Sequence, residues 1–148
     1  MKRHLGTFLE VENMLKLIIG VKGTGKTKVL IDMVNGALAV TKGDVVCIEK
    51  GAQLRFDIKP AVRLVDSEEY LINDASALYG FIAGMLASNH DVTDLFVDGT
   101  LRICKRDMVA FEELLSKLDS LLEKIDVNVT MTVSMPAEEI TDTIRKYI

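Results

Sequence analysis

Eight residues near the start of the chain, Gly20-Val21-Lys22-Gly23-Thr24-Gly25-Lys26-Thr27, combine the residue types that hold a polyphosphate. A glycine, four residues and then Gly25-Lys26-Thr27 is the spacing of a phosphate-binding loop. Glycines let the backbone curl so that successive N–H groups point inward onto phosphate oxygens. In such a loop Lys26 reaches the β- and γ-phosphates, and the Thr27 hydroxyl ligates Mg²⁺. Lys28 lies just beyond, on the first helical turn, where the start of a helix adds partial positive charge. The plain alternative is a glycine-rich turn that binds nothing.

A second chemical point is Asp98, which ends the apolar run Leu95-Phe96-Val97. A carboxylate at a strand tip can support Mg²⁺ through its water shell together with Thr27. Many strands also end in Asp-Gly turns, and only the preceding loop gives this one chemical meaning. Gly99 and Thr100 follow, so no acid adjoins Asp98 to serve as a base. Glu49, at the end of Val45-Val46-Cys47-Ile48, could orient an attacking water in phosphoryl transfer. It could equally be a solvated turn glutamate paired with Lys50. Ser134 either meets the γ-phosphate or caps the last helix. Lys22 is either a phosphate contact or an exposed loop lysine. Arg102 and Arg106 could act as an arginine finger, from a neighbouring subunit if the protein oligomerises.

These points need a scaffold, and the apolar pattern supplies one. The run 14–19 predicts a strand leading into the loop. Val29, Leu30, Met33, Val34, Ala37 and Leu38 recur at three- and four-residue steps, which predicts a helix over about 26–41 with Gly43 as its C-cap. A buried parallel strand follows over 45–48. Residues 53–58 alternate like a short strand, and 61–65 predict another. Residues 74–88 read as a helix in which Gly80 and Gly84 allow close approach to a sheet. Asn89-His90-Asp91 is a turn, with His90 an exposed loop histidine. Residues 107–125 form an amphipathic helix whose stripe is Phe111, Leu114, Leu115, Leu118, Leu121, Leu122 and Ile125. The last strand spans 127–133, and a final helix is expected over 137–147 with Pro136 in its first turn. Alternating strands and helices predict a three-layer α/β/α fold with a mostly parallel sheet. Ligands in such sheets sit at the carboxyl ends of the strands, where the loop, Glu49, Asp98 and Ser134 converge.

The chain has 148 residues, 49% apolar and 27% charged, which fits one globular domain with a substantial core. Residues 14–148 are expected to form that domain, and residues 1–13 a peripheral polar leader. A net charge of −4 argues against nonspecific nucleic-acid binding. No apolar run approaches the roughly 18 residues of a membrane span, and the N-terminus lacks the apolar stretch of a secretory signal. Cys47 and Cys104 lack metal-ligand spacing, which is consistent with a reduced cytoplasmic location.

The loop together with Asp98 resembles the P-loop NTPase superfamily over most of residues 14–148. Lys22 stands one place too late for the signature lysine of its deviant Walker A group. The order of polar strand ends (Glu49, then Asp98, then Ser134) is similar to the RecA-like division. That likeness implies a RecA-like core with Glu49 as base. Five stretches are similar to short stand-alone bacterial P-loop ATP-binding proteins often labelled twitching-motility PilT-like. They are Gly23-Thr24-Gly25-Lys26-Thr27-Lys28, Val46-Cys47-Ile48-Glu49-Lys50-Gly51, Arg63-Leu64-Val65-Asp66, Tyr79-Gly80-Phe81 and Phe96-Val97-Asp98-Gly99. The extra N-terminal domain and the histidine- and acid-rich boxes of full motility ATPases do not appear in this sequence.

The sequence therefore predicts an Mg²⁺-dependent ATP-binding protein with slow ATPase or nucleotide-switch activity. A neighbouring subunit or a protein partner is expected to complete the site. One alternative is a small-molecule kinase using Arg55, Arg63 and Asp66 toward an acceptor. Another is a binding-only interaction module stabilised by nucleotide.

Overall fold

The structure is a computed structural model that describes residues 4–5, 10–11 and 14–148. Within the expected leader, His4–Leu5 (β1) and Glu10–Val11 (β2) pair as two antiparallel strands. The remainder of the 1–13 leader lies outside the described residues. The central sheet contains Leu15–Gly20 (β3), Asp44–Glu49 (β4), Arg63–Asp66 (β5), Val92–Val97 (β6) and Asn128–Ser134 (β7). Its order is β3-β7-β6-β4-β5, and every neighbouring pair is parallel. β7 therefore lies between the strand that feeds the glycine loop and the strand that ends at Asp98.

The two faces of the sheet bury different sets of residues, because successive side chains on a strand point to opposite sides. Val45 and Cys47 of β4 and Phe96 of β6 pack with Leu30 and Val34 of the helix Lys26–Val40 (α1). Val46 and Ile48, Leu95 and Val97, and Val129, Met131 and Val133 join the larger core on the opposite face. Ala75–Ser88 (α2) and Met108–Leu122 (α4) cover that face, and they pack on each other. Of the seven stripe residues, Phe111, Leu114, Leu115, Leu118 and Leu122 are buried, while Leu121 and Ile125, the latter beyond the end of α4, are half-buried against the same core. Asp107 caps α4 by accepting the Ala110 N–H at 3.1 Å, and Asp74 caps α2 in the same way from Ala77 at 2.7 Å.

Four local expectations fail, each for a visible reason. Residues 53–58 are no strand: Gln53–Phe56 is a 3₁₀ turn, with its first N–H groups held by the Glu49 carboxylate. Gly43 is not the cap of α1, because Thr41, in extended conformation, ends the helix by donating its N–H to the Ala37 carbonyl. Gly43 is needed instead for close approach, since a Cβ there would overlap the Asp91 carbonyl oxygen. Gly80 and Gly84 allow no close approach to the sheet. They lie on the open face of α2, with nothing within 4 Å of a Cβ, while Leu78, Ile82 and Leu86 face the core. The final helix is split into the 3₁₀ turn Ala137–Glu139 and the short helix Asp142–Arg145 (α5). Ile140 is extended, and Thr141 restarts the helix by accepting the Ile144 N–H at 3.2 Å.

Candidate functional site

The loop after β3 owes its shape to three glycines and to the side chains of Thr24 and Lys26. Gly23 and Gly25 both have φ of 87°, a conformation costly for any residue with a Cβ. A Cβ at Gly20 would come within 2.6 Å of the Thr24 hydroxyl. That hydroxyl donates to the Val21 carbonyl at 2.8 Å, and Lys26 Nζ donates to the same carbonyl at 2.9 Å. Gly25 caps α1 without a side-chain hydrogen bond, and no acid sits in the first turn. The helix therefore presents unneutralised N–H groups and dipole at the mouth of the loop. Lys22, Gly23, Gly25, Lys26 and Thr27 line a cavity of about 550 Å³. Gly20, Val21 and Thr24 shape the loop from behind without lining that cavity, and Lys28 is exposed outside it.

Asp98 stands across the cavity from the loop. Thr27 Oγ1 lies 3.3 and 3.4 Å from its two carboxylate oxygens. Thr132 of β7 donates to Asp98 Oδ1 at 2.7 Å and accepts the Gly99 N–H at 2.8 Å. Since β7 separates β3 from β6, its hydroxyl is the group that fixes the aim of Asp98. Sequence reasoning missed Thr132. The available signal was two threonines, Thr130 and Thr132, alternating with Val129, Met131 and Val133 in a buried strand. A hydroxyl and a carboxylate are hard oxygen donors, which suits Mg²⁺. Among the described residues no cluster of three or more His, Cys, Asp or Glu side chains could hold a metal by itself. The residues present therefore fit an ion that keeps water and phosphate oxygens as its other ligands.

Glu49 is not a solvated turn residue. It is 4% exposed, and its two carboxylate oxygens accept the Gln53 N–H at 3.1 Å and the Leu54 N–H at 2.8 Å. Burial pushes its pKa up, and the nearby Asp98 and Asp66 push the same way, against the two backbone N–H bonds. The same burial, with Asp98 and Glu49 close by, raises Cys47 far above the ordinary thiol range, so it packs as an inert core residue. Asp66 spends one carboxylate oxygen on the Gly51 and Glu68 N–H groups.

The positive side of the cavity is built from three segments. Lys22 and Lys26 come from the loop, Lys50 from the tip of β4, and Arg102 and Arg106 from the turn after β6. Five cationic side chains thus face two carboxylates, Glu49 and Asp98, in a chain whose net charge is −4. Arg102 belongs to the short helix Thr100–Ile103 (α3), and its guanidinium reaches back over Gly99. Arg106 has φ of 56° and follows Lys105 at 57°; its guanidinium approaches the Ser134 carbonyl at 3.5 Å. Ser134 lines the cavity and caps no helix. Arg55 and Arg63 do not line it, and Arg55 stacks instead over the Phe56 ring at 4.7 Å.

The all-parallel sheet, the loop on its edge strand and the intervening β7 define the class: this is a RecA-like P-loop fold. Among solved structures, 79 chains match it. One is the flagellar accessory protein FlaH from Methanocaldococcus jannaschii, with a TM-score of 0.58 at 11% sequence identity. The match covers 89% of this chain and 65% of FlaH, so the chain spans less than two-thirds of that protein's length. No family model and no curated protein matches the sequence. Among the described residues no helix is long and apolar enough to cross a membrane.

Proposed function

We propose that this protein binds ATP with Mg²⁺ and hydrolyses it slowly, with the nucleotide state acting as a switch. One observation carries the reading: Thr27 and Asp98 face each other at 3.3 Å in a cavity lined by the glycine loop, Lys26 and four further cationic side chains. The loop backbone, the start of α1 and Lys26 would hold the phosphates, and Lys22 lies close enough to add charge. Thr27 and Asp98 would hold Mg²⁺, which when bound neutralises charge on the transferred phosphoryl group. Glu49 would position the attacking water as the base.

Glu49 also links the site to the turn that follows it. Each of its oxygens accepts one backbone N–H and keeps a second lone pair for a water. A water bound there shares the carboxylate with the Gln53 and Leu54 N–H groups, so loading the site would pull on the turn that begins there. That turn is tied to α1, where Asn35 donates to the Asp57 carbonyl at 3.0 Å and accepts the Lys59 N–H at 3.1 Å. Through this link, nucleotide state would be transmitted to residues 51–71. A partner or neighbouring subunit that completes the site would accelerate hydrolysis. The finer likeness to short bacterial P-loop ATP-binding proteins labelled PilT-like is supported by the motif stretches alone, and we carry over from it only ATP binding.

The test compares Mg²⁺–ATP binding and phosphate release in the wild type, Lys26→Ala and Glu49→Gln. Wild type should bind and turn over, Lys26→Ala should lose binding, and Glu49→Gln should bind without releasing phosphate. Equal ATP affinity in wild type and Lys26→Ala would refute the binding reading. Unchanged turnover in Glu49→Gln would remove the base.

A further inference from the structure

A second cavity, of about 290 Å³, opens beside the first and shares two of its walls, Lys50 and Arg102. It lies between the tip of β4, the turn after β5 and the turn after α3. None of the residues that recommend the glycine loop reaches it.

Its polar groups are unusual in what they leave unused. Ser67 is 1% exposed, and its hydroxyl is the one buried side-chain polar atom among the described residues without a hydrogen-bond partner. Its backbone is fully engaged: the Ser67 N–H donates to the Glu49 carbonyl at 2.7 Å, and its carbonyl accepts the Ile72 N–H at 2.9 Å. The residue is thus held firmly in the cavity wall with only its side chain unspent. A buried hydroxyl without a partner is unfavourable, and native structures rarely keep one without cause. Lys50, Arg102 and Lys105 line the same cavity, as does the Asn73 amide. None of these four side chains makes a hydrogen bond or ion pair with another described residue. One carboxylate, Glu68, shares the wall. Leu71 at φ 56° and Lys105 at φ 57° hold the two flanking turns in a left-handed conformation that side chains disfavour.

We propose that this cavity is a second binding subsite, for the oxyanion of a small molecule seated next to the nucleotide phosphates. Three cations against one carboxylate select a negatively charged group. Asn73 and the Ser67 hydroxyl, after rotation about its Cα–Cβ bond, supply neutral hydrogen bonds. Glu68 disfavours an extended polyanion and admits a compact ligand that carries one oxyanion and a donor such as a hydroxyl or amine. Phosphate and carboxylate share this chemistry, and the experiment separates them. The inference goes beyond ATP binding: the cavity's own residues carry it, and only its place beside nucleotide phosphates rests on the proposed function.

The test is a titration of full-length protein with inorganic phosphate and, separately, with malonate, at constant ionic strength, read by backbone amide NMR shifts. It is run on Lys26→Ala, to weaken anion binding in the glycine loop, and on that variant carrying Lys105→Ala or Ser67→Ala. Saturable shifts at residues 67–73 and 105 are expected with at least one anion. Lys105→Ala should weaken them at least about fivefold, and Ser67→Ala about threefold or more without loss of folding. A stronger response to phosphate than to malonate identifies a phosphoryl ligand, and the reverse a carboxylate. Shifts confined to residues 20–27, or saturation untouched by Lys105→Ala, would overturn the proposal. A parallel ATP titration of wild type separates the two readings: ATP binding with no phosphate or malonate response at 67–73 removes only the second subsite, and an anion response at 67–73 without ATP binding removes only the first.

Discussion

Thr132→Val is the perturbation that tests the geometry of the site most directly. Valine keeps the shape of threonine and removes its hydroxyl. That hydroxyl carries two hydrogen bonds, to Asp98 Oδ1 at 2.7 Å and from the Gly99 N–H at 2.8 Å, at a position 2% exposed. The Gly99 N–H is half-buried, so leaving it without a partner costs toward the lower end of about 1–3 kcal/mol, and the lost bond to the charged Asp98 is of the stronger kind. The variant should therefore lose about 2 kcal/mol of unfolding free energy in urea, with an unchanged slope against denaturant. The functional consequence is separate. Without Thr132, Asp98 keeps only the longer contacts to Thr27 at 3.3 and 3.4 Å, so its aim loosens. The Mg²⁺-dependent part of ATP affinity should fall roughly tenfold, equivalent to about 1.4 kcal/mol, while binding without Mg²⁺ stays the same. Calorimetric titration with and without Mg²⁺ measures both parts. A stability loss with no change in the Mg²⁺ dependence would show that Thr132 is structural only. No stability loss would mean that the hydrogen bonds through Thr132 are not formed as described.

Three further predictions concern the base, the glycines and the core. Because Glu49 is raised, hydrolysis should increase with pH with a midpoint above the ordinary glutamate value of about 4.3, and a profile of single-turnover rates checks this. The sign for stability is opposite to that of an ion-paired carboxylate. The folded state holds the Glu49 proton more tightly than the unfolded chain, so its contribution is fully present below the ordinary pKa and is lost as pH rises through the raised one. Urea unfolding at several pH values should show this loss in wild type and not in Glu49→Gln. Gly80→Ala, on the open face of α2, should stabilise the protein by about 1 kcal/mol, whereas Gly43→Ala should cost roughly 1–3 kcal/mol by overlap with the Asp91 carbonyl; thermal melts of the two variants decide. Phe111 is fully buried in α4, and Phe111→Ala should cost about 3–5 kcal/mol in urea unfolding.

The sequence by itself determined the parts whose physics is local. A glycine loop between an apolar run and a helical pattern is a short-range arrangement, and the structure reproduces it with Gly23 and Gly25 at positive φ and α1 starting at Lys26. The stripe of α4 was legible because burial at three- and four-residue steps leaves a plain trace in residue type. The alternation of strands and helices announced a parallel sheet for the same reason. What tertiary structure decided was everything that depends on strand order and on partners distant in sequence. Periodicity cannot say that β7 lies between β3 and β6, so it could not reveal Thr132 as the partner of Asp98, 34 residues away. Nor could it show that residues 53–56 turn instead of extending, because the cause is the Glu49 carboxylate folded back onto their N–H groups. Gly43 misled because a glycine after a helix suggests a cap, while its real constraint is the Asp91 carbonyl across the sheet. The gathering of Arg102, Arg106 and Lys50 around one cavity depended in the same way on which strand tips the sheet brings side by side.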